Sequence, residues 1–154
     1  MLSGIHTTKP RTQRYVDAFV KGSGSGSIYQ FREMKSLPKE DLTMYGILAG
    51  SGEVYKWCQK EHRDFYFMDH GYFTNAHDSP HWLRITKNKH CQNILEDKPA
   101  DRYEKYFKKE IKPWHKGKKI LVLPPTNAIA NFFGTEDWLD KTLLTLRENT
   151  DREI

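Results

Sequence analysis

The order of elements between residues 42 and 69 constrains the fold of this chain more than any other feature. An apolar run at 42–48 leads into a glycine-rich turn at 49–52. The segment at 53–63 then carries apolar residues at the spacing of an amphipathic helix, and a second apolar run follows at 64–69. Strand, turn, helix and strand in this order predict a parallel α/β unit.

Several further segments extend this pattern along the chain. Alternating or apolar runs predict strands at 5–8, 27–31, 81–86 and 119–125, and helical spacing predicts helices at 12–20, 101–109 and 136–148. The run at 119–125 has the continuous apolar character of a buried parallel strand. The sequence therefore predicts an α/β fold with a Rossmann-like open sheet, mostly parallel and flanked by helices.

The pattern also predicts how the chain is organised. Residues 1–117 are expected to form one Rossmann-like domain. Residues 118–154 form a strand, a loop and a helix that either pack on this domain or begin a second, incomplete one. A strand and helix of this kind normally return to a second parallel strand, and Ile154 supplies only its first apolar residue.

Charge and composition narrow the class of protein. The formal net charge is +5, which favours anionic partners such as a nucleotide sugar or a nucleic acid. No apolar run approaches the roughly 20 residues that cross a bilayer, and the N-terminus lacks the apolar core of a signal peptide. Cys58 and Cys91 lie in unrelated segments, which favours free thiols. The sequence therefore predicts a soluble cytoplasmic protein without a membrane partner.

Asp69 and His70 are the candidate catalytic residues. Asp69 is the last residue of the predicted strand at 64–69 and His70 follows it directly, and open α/β sheets bind ligands at the carboxyl ends of their strands. Either side chain can act as a general base toward a hydroxyl group. The structural alternative is that Asp69 caps the loop backbone and His70 packs on aromatic rings.

Further polar and glycine residues are predicted to bind the ligand. The strand-to-helix turn can hold a phosphate on its backbone N–H groups, although it matches no standard phosphate motif and also suits an ordinary corner. Threonine and asparagine after the run at 119–125 offer hydrogen bonds to a sugar or a phosphate. The predicted ligand-binding residues are Gly46, Gly50, Ser51, Gly52, Tyr72, Arg84, Thr126 and Asn127.

A second set of residues suits nucleic acid. Trp82 lies near basic residues on an alternating strand, where an aromatic ring can stack on a base. The basic residues Lys108, Lys109, Lys118 and Lys119 belong to a loose cluster after residue 101. A solvated helix face with a basic linker would have the same composition.

A metal site is not predicted. His77, His81, His90 and Cys91 are close in sequence, but their spacing fits no standard zinc pattern. No cofactor is indicated either, and a nucleotide sugar is expected only as a donor substrate.

Five segments of the chain carry a resemblance to a known family. They are YGILAG at 45–50, DFYFMDHGYF at 64–73, WLRITKN at 82–88, KILVLPPTNAIANFFG at 119–134 and WLDKTLLTLRENTDREI at 138–154. Together they resemble the N-terminal part of a phage and bacterial glycosyltransferase-like family of the two-Rossmann-domain (GT-B) type. The resemblance covers most of the chain from residue 43 onward.

The resemblance implies a function. Residues 1–117 would form the acceptor-side domain, and residues 119–154 would open the domain that holds the nucleotide sugar, most of which is absent here. The implied activity is transfer of a sugar to, or its binding at, a hydroxyl acceptor, for which a modified DNA base would suit the positive charge. A missing second domain or a partner chain would complete the protein. The alternative is a non-catalytic phage-type module that binds nucleic acid or protein.

Overall fold

The computed structural model describes residues 1–7, 10–71, 82–91, 99–106, 112–113 and 115–154. The chain divides into two compact units, Met1–Gln92 and Asn93–Ile154. The predicted boundary between residues 117 and 118 lies inside the second unit. In the described part of the chain, no helix has the length and apolar character needed to cross a membrane.

An open five-stranded sheet forms the centre of the first unit. Its strands are β1 (Leu2–His6), β2 (Ile28–Gln30), β3 (Asp41–Tyr45), β4 (Phe65–His70) and β5 (Leu83–Lys87). Their order across the sheet is β2-β1-β3-β4-β5. Strands β1 to β4 are parallel to one another, and β5 pairs with β4 in the antiparallel direction. The prediction of an α/β fold with a mostly parallel open sheet is confirmed.

Two helices, α1 (Pro10–Gly22) and α2 (Ser51–Lys60), cover opposite faces of this sheet. The apolar side of α1 packs against Met68 of β4. From α2, the ring of Tyr55 meets the ring of Phe67 edge-on at 5.5 Å. Because neighbouring residues of a strand point to opposite faces, these two contacts place the helices on different sides of β4. The central strands β1, β3 and β4 are therefore largely buried, whereas Ile28 of β2 and Ile85 of β5 are 39% and 44% exposed at the two edges of the sheet.

Helix α1 lies close to β1 because Gly4 leaves room for it. A Cβ atom at Gly4 would lie 2.5 Å from Cγ1 of Val16 and 2.8 Å from Cδ1 of Ile28. The short distance between helix and strand brings the second turn of α1 over the carboxyl end of β1. This proximity sets the geometry of the candidate site.

The predicted elements of the first unit are present with shifted ends. The strand predicted at 42–48 ends at Tyr45, because Gly46 adopts a φ of 65° that turns the chain out of the sheet. The helix predicted at 53–63 begins earlier, at Ser51, and the strand predicted at 81–86 spans Leu83–Lys87. The strand predicted at 5–8 overlaps β1 only at Ile5 and His6, because β1 begins at Leu2. For the other runs of this unit the middle was predictable from periodicity, while the ends depend on turn geometry.

The second unit contains three helices among its described residues. They are α3 (Asp101–Tyr106), α4 (Asn127–Phe133) and α5 (Trp138–Asn149). Helix α4 lies where an irregular loop was expected, with Thr126 accepting a hydrogen bond from the backbone of Ile129 at its start. Helix α5 agrees with the helix predicted at 136–148.

The prediction of a buried strand at 119–125 is wrong. These residues contribute one isolated parallel bridge, Lys119 to Glu153, and the next apolar residues form no ladder. Leu121 is 81% exposed and Leu123 is 75% exposed. An apolar run becomes a buried strand only where neighbouring strands and a helix layer cover it, and the described part of this unit supplies neither.

Candidate functional site

The carboxyl edge of the sheet at β1 is the candidate site. The chain leaves β1 for β2 on one side and reaches β3 on the other, so the strand order reverses at β1. Open α/β sheets bind ligands outside the carboxyl ends of their strands at such a point. Here β1 ends at His6 and β3 ends at Tyr45. The side chains near these two residues therefore decide what the edge can do.

His6 and Asp17 form a close polar pair at this edge. The Nε2 atom of His6 lies 2.6 Å from Oδ1 of Asp17, which projects from the second turn of α1. The Nδ1 atom of His6 lies 3.4 Å from the side-chain nitrogen of Gln30, at the end of β2. An amide nitrogen only donates, so this arrangement suits a neutral imidazole with its proton on Nε2 and its lone pair on Nδ1.

The burial of this pair is uneven. The side chain of His6 is 11% exposed, whereas that of Asp17 is 51% exposed. Gln30 is exposed as well. The imidazole of His6 is therefore largely buried. The side chain of Gln30, which covers Nδ1, lies at the surface, and its 3.4 Å contact with Nδ1 is long for a hydrogen bond. A hydroxyl group can take the place of that amide as the donor to Nδ1.

A cavity of about 280 Å³ adjoins the histidine. Its walls are His6, Thr7, Gln13, Gln30, Phe31, Arg32 and Glu33. The side chain of Gln13 donates to the backbone carbonyl of Thr7 at 3.0 Å, which ties the first turn of α1 to the end of β1. The wall carries neutral amide and hydroxyl groups, with one cation and one anion. It is suited to a ligand rich in hydroxyl groups.

Phe31 closes the opposite side of this edge. A Cβ atom at Gly50 would lie 2.2 Å from the ring of Phe31, so the ring rests against the glycine backbone. Phe31 follows β2, and Gly50 follows β3, the strands on either side of β1. The contact therefore joins the segments after β2 and β3 across the carboxyl end of β1, and Phe31 also forms part of the wall of the cavity.

An aromatic row continues the edge toward β4. The rings of Tyr15 and Tyr45 are stacked at 5.3 Å, and the ring of Tyr45 meets His70 edge-on at 5.8 Å. The guanidinium of Arg14 lies 5.0 Å from the ring of Tyr15 and donates to its hydroxyl group. The exposed imidazole of His70 is thus the outer end of a row that begins on α1.

Asp69 and His70, predicted together, lie on opposite faces of the sheet. Strand β4 includes both residues, so their side chains alternate. His70 faces α1 with Tyr45. Asp69 pairs across the sheet with Arg84, and its carboxylate also accepts from the backbone N–H of His70 at 2.8 Å. These positions agree with the structural alternative for the two residues, and a catalytic role for either stays a prediction.

Asp69 belongs to a charged cluster on the α2 face. Its Oδ2 atom lies 3.6 Å from the Arg84 guanidinium and 3.9 Å from Nε2 of His90. The His90 ring also lies 5.0 Å from the ring of Phe67. Burial lowers the pKa of His90, the positive charge of Arg84 lowers it further, and Asp69 opposes both effects. His90 is therefore favoured as a neutral imidazole in this cluster.

The glycine turn has a structural role at each predicted position. The N–H of Gly46 donates to the carbonyl of Met68 at 2.8 Å, and Gly50 precedes α2 with a φ of 103°. The hydroxyl of Ser51 donates to the carbonyl of Leu48 at 2.7 Å, and Gly52 is buried. The backbone of Gly46 and the hydroxyl of Ser51 are thus committed within the protein. Ligand binding at this turn stays a prediction.

The remaining predicted binding residues are Tyr72, Trp82, Lys108, Lys109, Lys118, Lys119, Thr126 and Asn127. Tyr72, Lys108 and Lys109 lie outside the described residues. The backbone carbonyl of Trp82, directly before β5, accepts a hydrogen bond from the N–H of Gly71. In the second unit, Thr126 caps α4, Asn127 is exposed in its first turn, Lys118 is exposed and Lys119 forms an ion pair with Glu153.

Other reactive side chains have limited roles. Cys58 is fully buried, and burial raises the pKa of its thiol to about 11, so it is a poor nucleophile. Among the described residues, no group of three histidine, cysteine or acidic side chains is placed to hold a metal ion. His77 and His81, part of the sequence cluster considered for a metal, lie outside the described ranges.

His6 and Asp17 were missed from the sequence. The available signal was a histidine within the first β-favouring run at 5–8, upstream of the helix predicted at 12–20. That position is the carboxyl end of β1, where a ligand site is expected. The partner was harder to find, because Asp17 is 11 residues away and reaches His6 only when α1 folds back on β1.

Comparison with known proteins found no match for this chain. No family model, curated protein or solved structure matches this chain. The function is therefore argued from the geometry of the edge and from the sequence resemblance.

Proposed function

We propose that this chain is the acceptor-side, Rossmann-like part of a glycosyltransferase-like protein of the GT-B type. The observation that carries the proposal is the His6–Asp17 pair at the carboxyl end of β1. A hydroxyl acceptor needs a base, and a neutral imidazole held by a carboxylate is the commonest base for this purpose near neutral pH. The adjoining polar cavity gives such an acceptor a place to bind.

The reaction uses each group in a defined way. The acceptor hydroxyl replaces Gln30 as the donor to Nδ1 of His6, and Nδ1 takes its proton as the oxygen attacks the anomeric carbon of the donor sugar. The bond from that carbon to the nucleotide diphosphate breaks, and its electron pair leaves with the diphosphate. Asp17, which is hydrogen-bonded to Nε2 of His6, stabilises the imidazolium that forms. A single displacement of this kind inverts the anomeric configuration.

The other predicted residues take supporting roles in this proposal. His70 and Tyr45 extend the edge as an aromatic wall on which a sugar ring of the acceptor can rest. Thr126 and Asn127 are assigned by the resemblance to the nucleotide-sugar side. Asp69 is the less suitable base, because its carboxylate already faces Arg84 and His90.

Nucleotide release tests the proposal directly. The protein is incubated with UDP-glucose, UDP-N-acetylglucosamine or GDP-mannose, each with free sugars or a duplex containing hydroxymethylcytosine as acceptor. We expect one pair to release the nucleotide diphosphate, and His6→Gln to lower that rate by about 10²–10⁴-fold. Asp17→Asn should lower it as well. His115→Gln, which replaces an exposed histidine of the second unit, serves as the matched control.

A thermal-melt screen with the same compounds completes this test. A ligand at about 100 times its Kd adds roughly 2.7 kcal/mol to the free energy of unfolding, which is easily measured. Full activity of His6→Gln would contradict the role of the His6–Asp17 pair, and the absence of stabilisation by every acceptor tested would contradict the proposal that this chain is the acceptor-side part.

The second candidate is a non-catalytic nucleic-acid-binding module. It is favoured by the exposed lysines Lys112, Lys116 and Lys118, which lie within seven positions of one another in the second unit. Stabilisation by DNA alone, with affinity that falls steeply as salt is raised, would support this candidate. Replacing these lysines with glutamate should then abolish binding, while His6→Gln should leave it unchanged.

A further inference from the structure

A second cavity of the first unit lies along the outer strand β2, next to the cavity at His6. Its volume is about 370 Å³, compared with about 280 Å³ for the His6 cavity. Its walls are Ile28, Tyr29, Gln30, Glu33, Met34, Lys35, Ser36 and Pro38. Small-molecule sites occupy roughly 300–1,000 Å³, so both cavities are near the lower end of that range. Each one by itself therefore suits a small group such as a single sugar ring.

The two cavities share a wall made by Gln30 and Glu33. A single 3₁₀ turn, Phe31–Glu33, follows β2 and is closed by a hydrogen bond from the N–H of Met34 to the carbonyl of Phe31. Residues three apart in such a turn lie on the same side, which brings Gln30 and Glu33 together. The two cavities therefore adjoin each other along this wall.

Gln30 also connects the second cavity with the proposed reaction. Its side-chain nitrogen lies 3.4 Å from Nδ1 of His6, the atom that the acceptor hydroxyl is proposed to reach. When the acceptor displaces this amide, the amide can donate instead to a hydroxyl group in the second cavity. A ligand that fills both cavities therefore replaces the contact that Gln30 loses.

The charges along the shared wall distinguish between classes of acceptor. Arg32 belongs to the wall of the His6 cavity alone and Lys35 to that of the second cavity alone, whereas Glu33 belongs to both. An acceptor that runs from one cavity into the other passes the carboxylate of Glu33. This carboxylate repels the phosphodiester of a nucleic acid, whereas a glycosidic linkage carries no charge.

We propose that the acceptor is an uncharged oligosaccharide, with its terminal sugar at His6 and the next sugar in the cavity beside β2. This inference rests on the proposed function, because it identifies the acceptor of the same reaction. The half-buried side chains of Tyr29 and Met34 offer apolar surface to the C–H groups of the second ring. Ser36 and Glu33 offer hydrogen bonds to its hydroxyl groups.

Saccharide binding to the full chain tests the proposal. The probe is a printed array of neutral mono-, di- and tetrasaccharides, and titration calorimetry then measures the Kd of each saccharide that binds and of its component monosaccharides. We expect at least one disaccharide to bind at least about tenfold more tightly than either of its component monosaccharides. The reason is that the second ring gains contacts that the His6 cavity does not offer.

A matched pair of serine variants tests the second cavity. Ser36→Trp places a large ring in this cavity, so it should lower the affinity for the disaccharide to that for the monosaccharide. Its affinity for the monosaccharide should stay unchanged. Ser25→Trp makes the same change at an exposed serine outside both cavity walls and should keep the preference for the disaccharide.

The outcomes separate this inference from the proposed function. Binding of no saccharide, equal affinity for mono- and disaccharides, or an equal effect of Ser36→Trp and Ser25→Trp would overturn the inference. Sugar transfer that needs His6, to a monosaccharide or to the hydroxymethylcytosine duplex and without a preference for disaccharides, would keep the proposed function and overturn the inference. A disaccharide preference that Ser36→Trp abolishes, in a chain whose activity does not depend on His6, would do the reverse.

Discussion

At the scale of single residues, side-chain direction decides which groups can act together. Asp69 and His70 are adjacent in sequence, yet β4 sends them to opposite faces, where one meets Arg84 and the other meets Tyr45. His6 and Asp17 are 11 positions apart and lie 2.6 Å from each other. Proximity in sequence was therefore a poor guide to the candidate site, and the alternation of the strand is the physical reason.

His90 should make the stability of the protein depend on pH in a predictable direction. Its pKa is lowered in the folded state by burial and then by Arg84, so the unfolded chain binds a proton more readily. The contribution of His90 is fully present above its unfolded pKa of about 6.5 and is lost as pH falls toward the lowered value.

The corresponding measurement is the free energy of unfolding by urea at about pH 7.5 and about pH 5.5. The fall in stability on acidification should be smaller in His90→Gln than in the parent protein. His115→Gln controls for the loss of a histidine at an exposed position. An equal reduction in both variants would contradict the prediction.

At the scale of elements, the turn between β3 and α2 shows why a glycine can be required for two different reasons. Gly46 and Gly50 both have positive φ values, 65° and 103°. At Gly46 an added Cβ atom would meet nothing within 4 Å, whereas at Gly50 it would enter the ring of Phe31. Gly46 is required only because its backbone is left-handed. Gly50 is required for the same reason and also because a Cβ atom there would overlap the Phe31 ring.

The two glycines form a matched pair of substitutions. Gly46→Ala should lower the free energy of unfolding by about 1–2 kcal/mol, the cost of the left-handed conformation. Gly50→Ala should lower it by roughly 3 kcal/mol or more, because displacement of the Phe31 ring adds to that strain. Urea unfolding of both variants measures the difference. Equal losses would show that the Phe31 contact contributes little.

At the same scale, an apolar run in the sequence does not always predict a buried strand. The runs at 42–45 and 65–70 became central strands because neighbouring strands pair with them and helices cover both faces. The run at 119–125 is as apolar in sequence, but its described surroundings offer a single bridge. Hydrophobic composition predicts that a segment needs covering, and the neighbours determine whether it is covered.

At the scale of the whole molecule, the two units differ in how much they bury. Helix α2 contains five buried residues, whereas α5 contains none. Strands β3 and β4 contribute fully buried side chains such as Leu42 and Phe67. Local opening costs little where few apolar contacts are lost, so stability should be distributed unevenly along the chain.

Hydrogen exchange of the full chain measures this distribution. Backbone amides of β3 and β4 should exchange more slowly than those of α5 by at least about 100-fold, since opening the sheet exposes its core. Mass spectrometry after digestion resolves the segments. Equal protection of the α5 and β4 amides from exchange would contradict the prediction. It would mean that α5 is as stable against local opening as the central sheet.

The sequence alone determined the α/β class, the positions of most strands and helices, and the turn that joins β3 to α2. These features depend on periodicity and on the backbone preferences of nearby residues, which are local properties. The tertiary structure decided the antiparallel direction of β5, the face on which each side chain lies, and the meeting of His6 with Asp17 and Gln30. Such features depend on which distant segments pack together, and no short stretch of sequence contains that information.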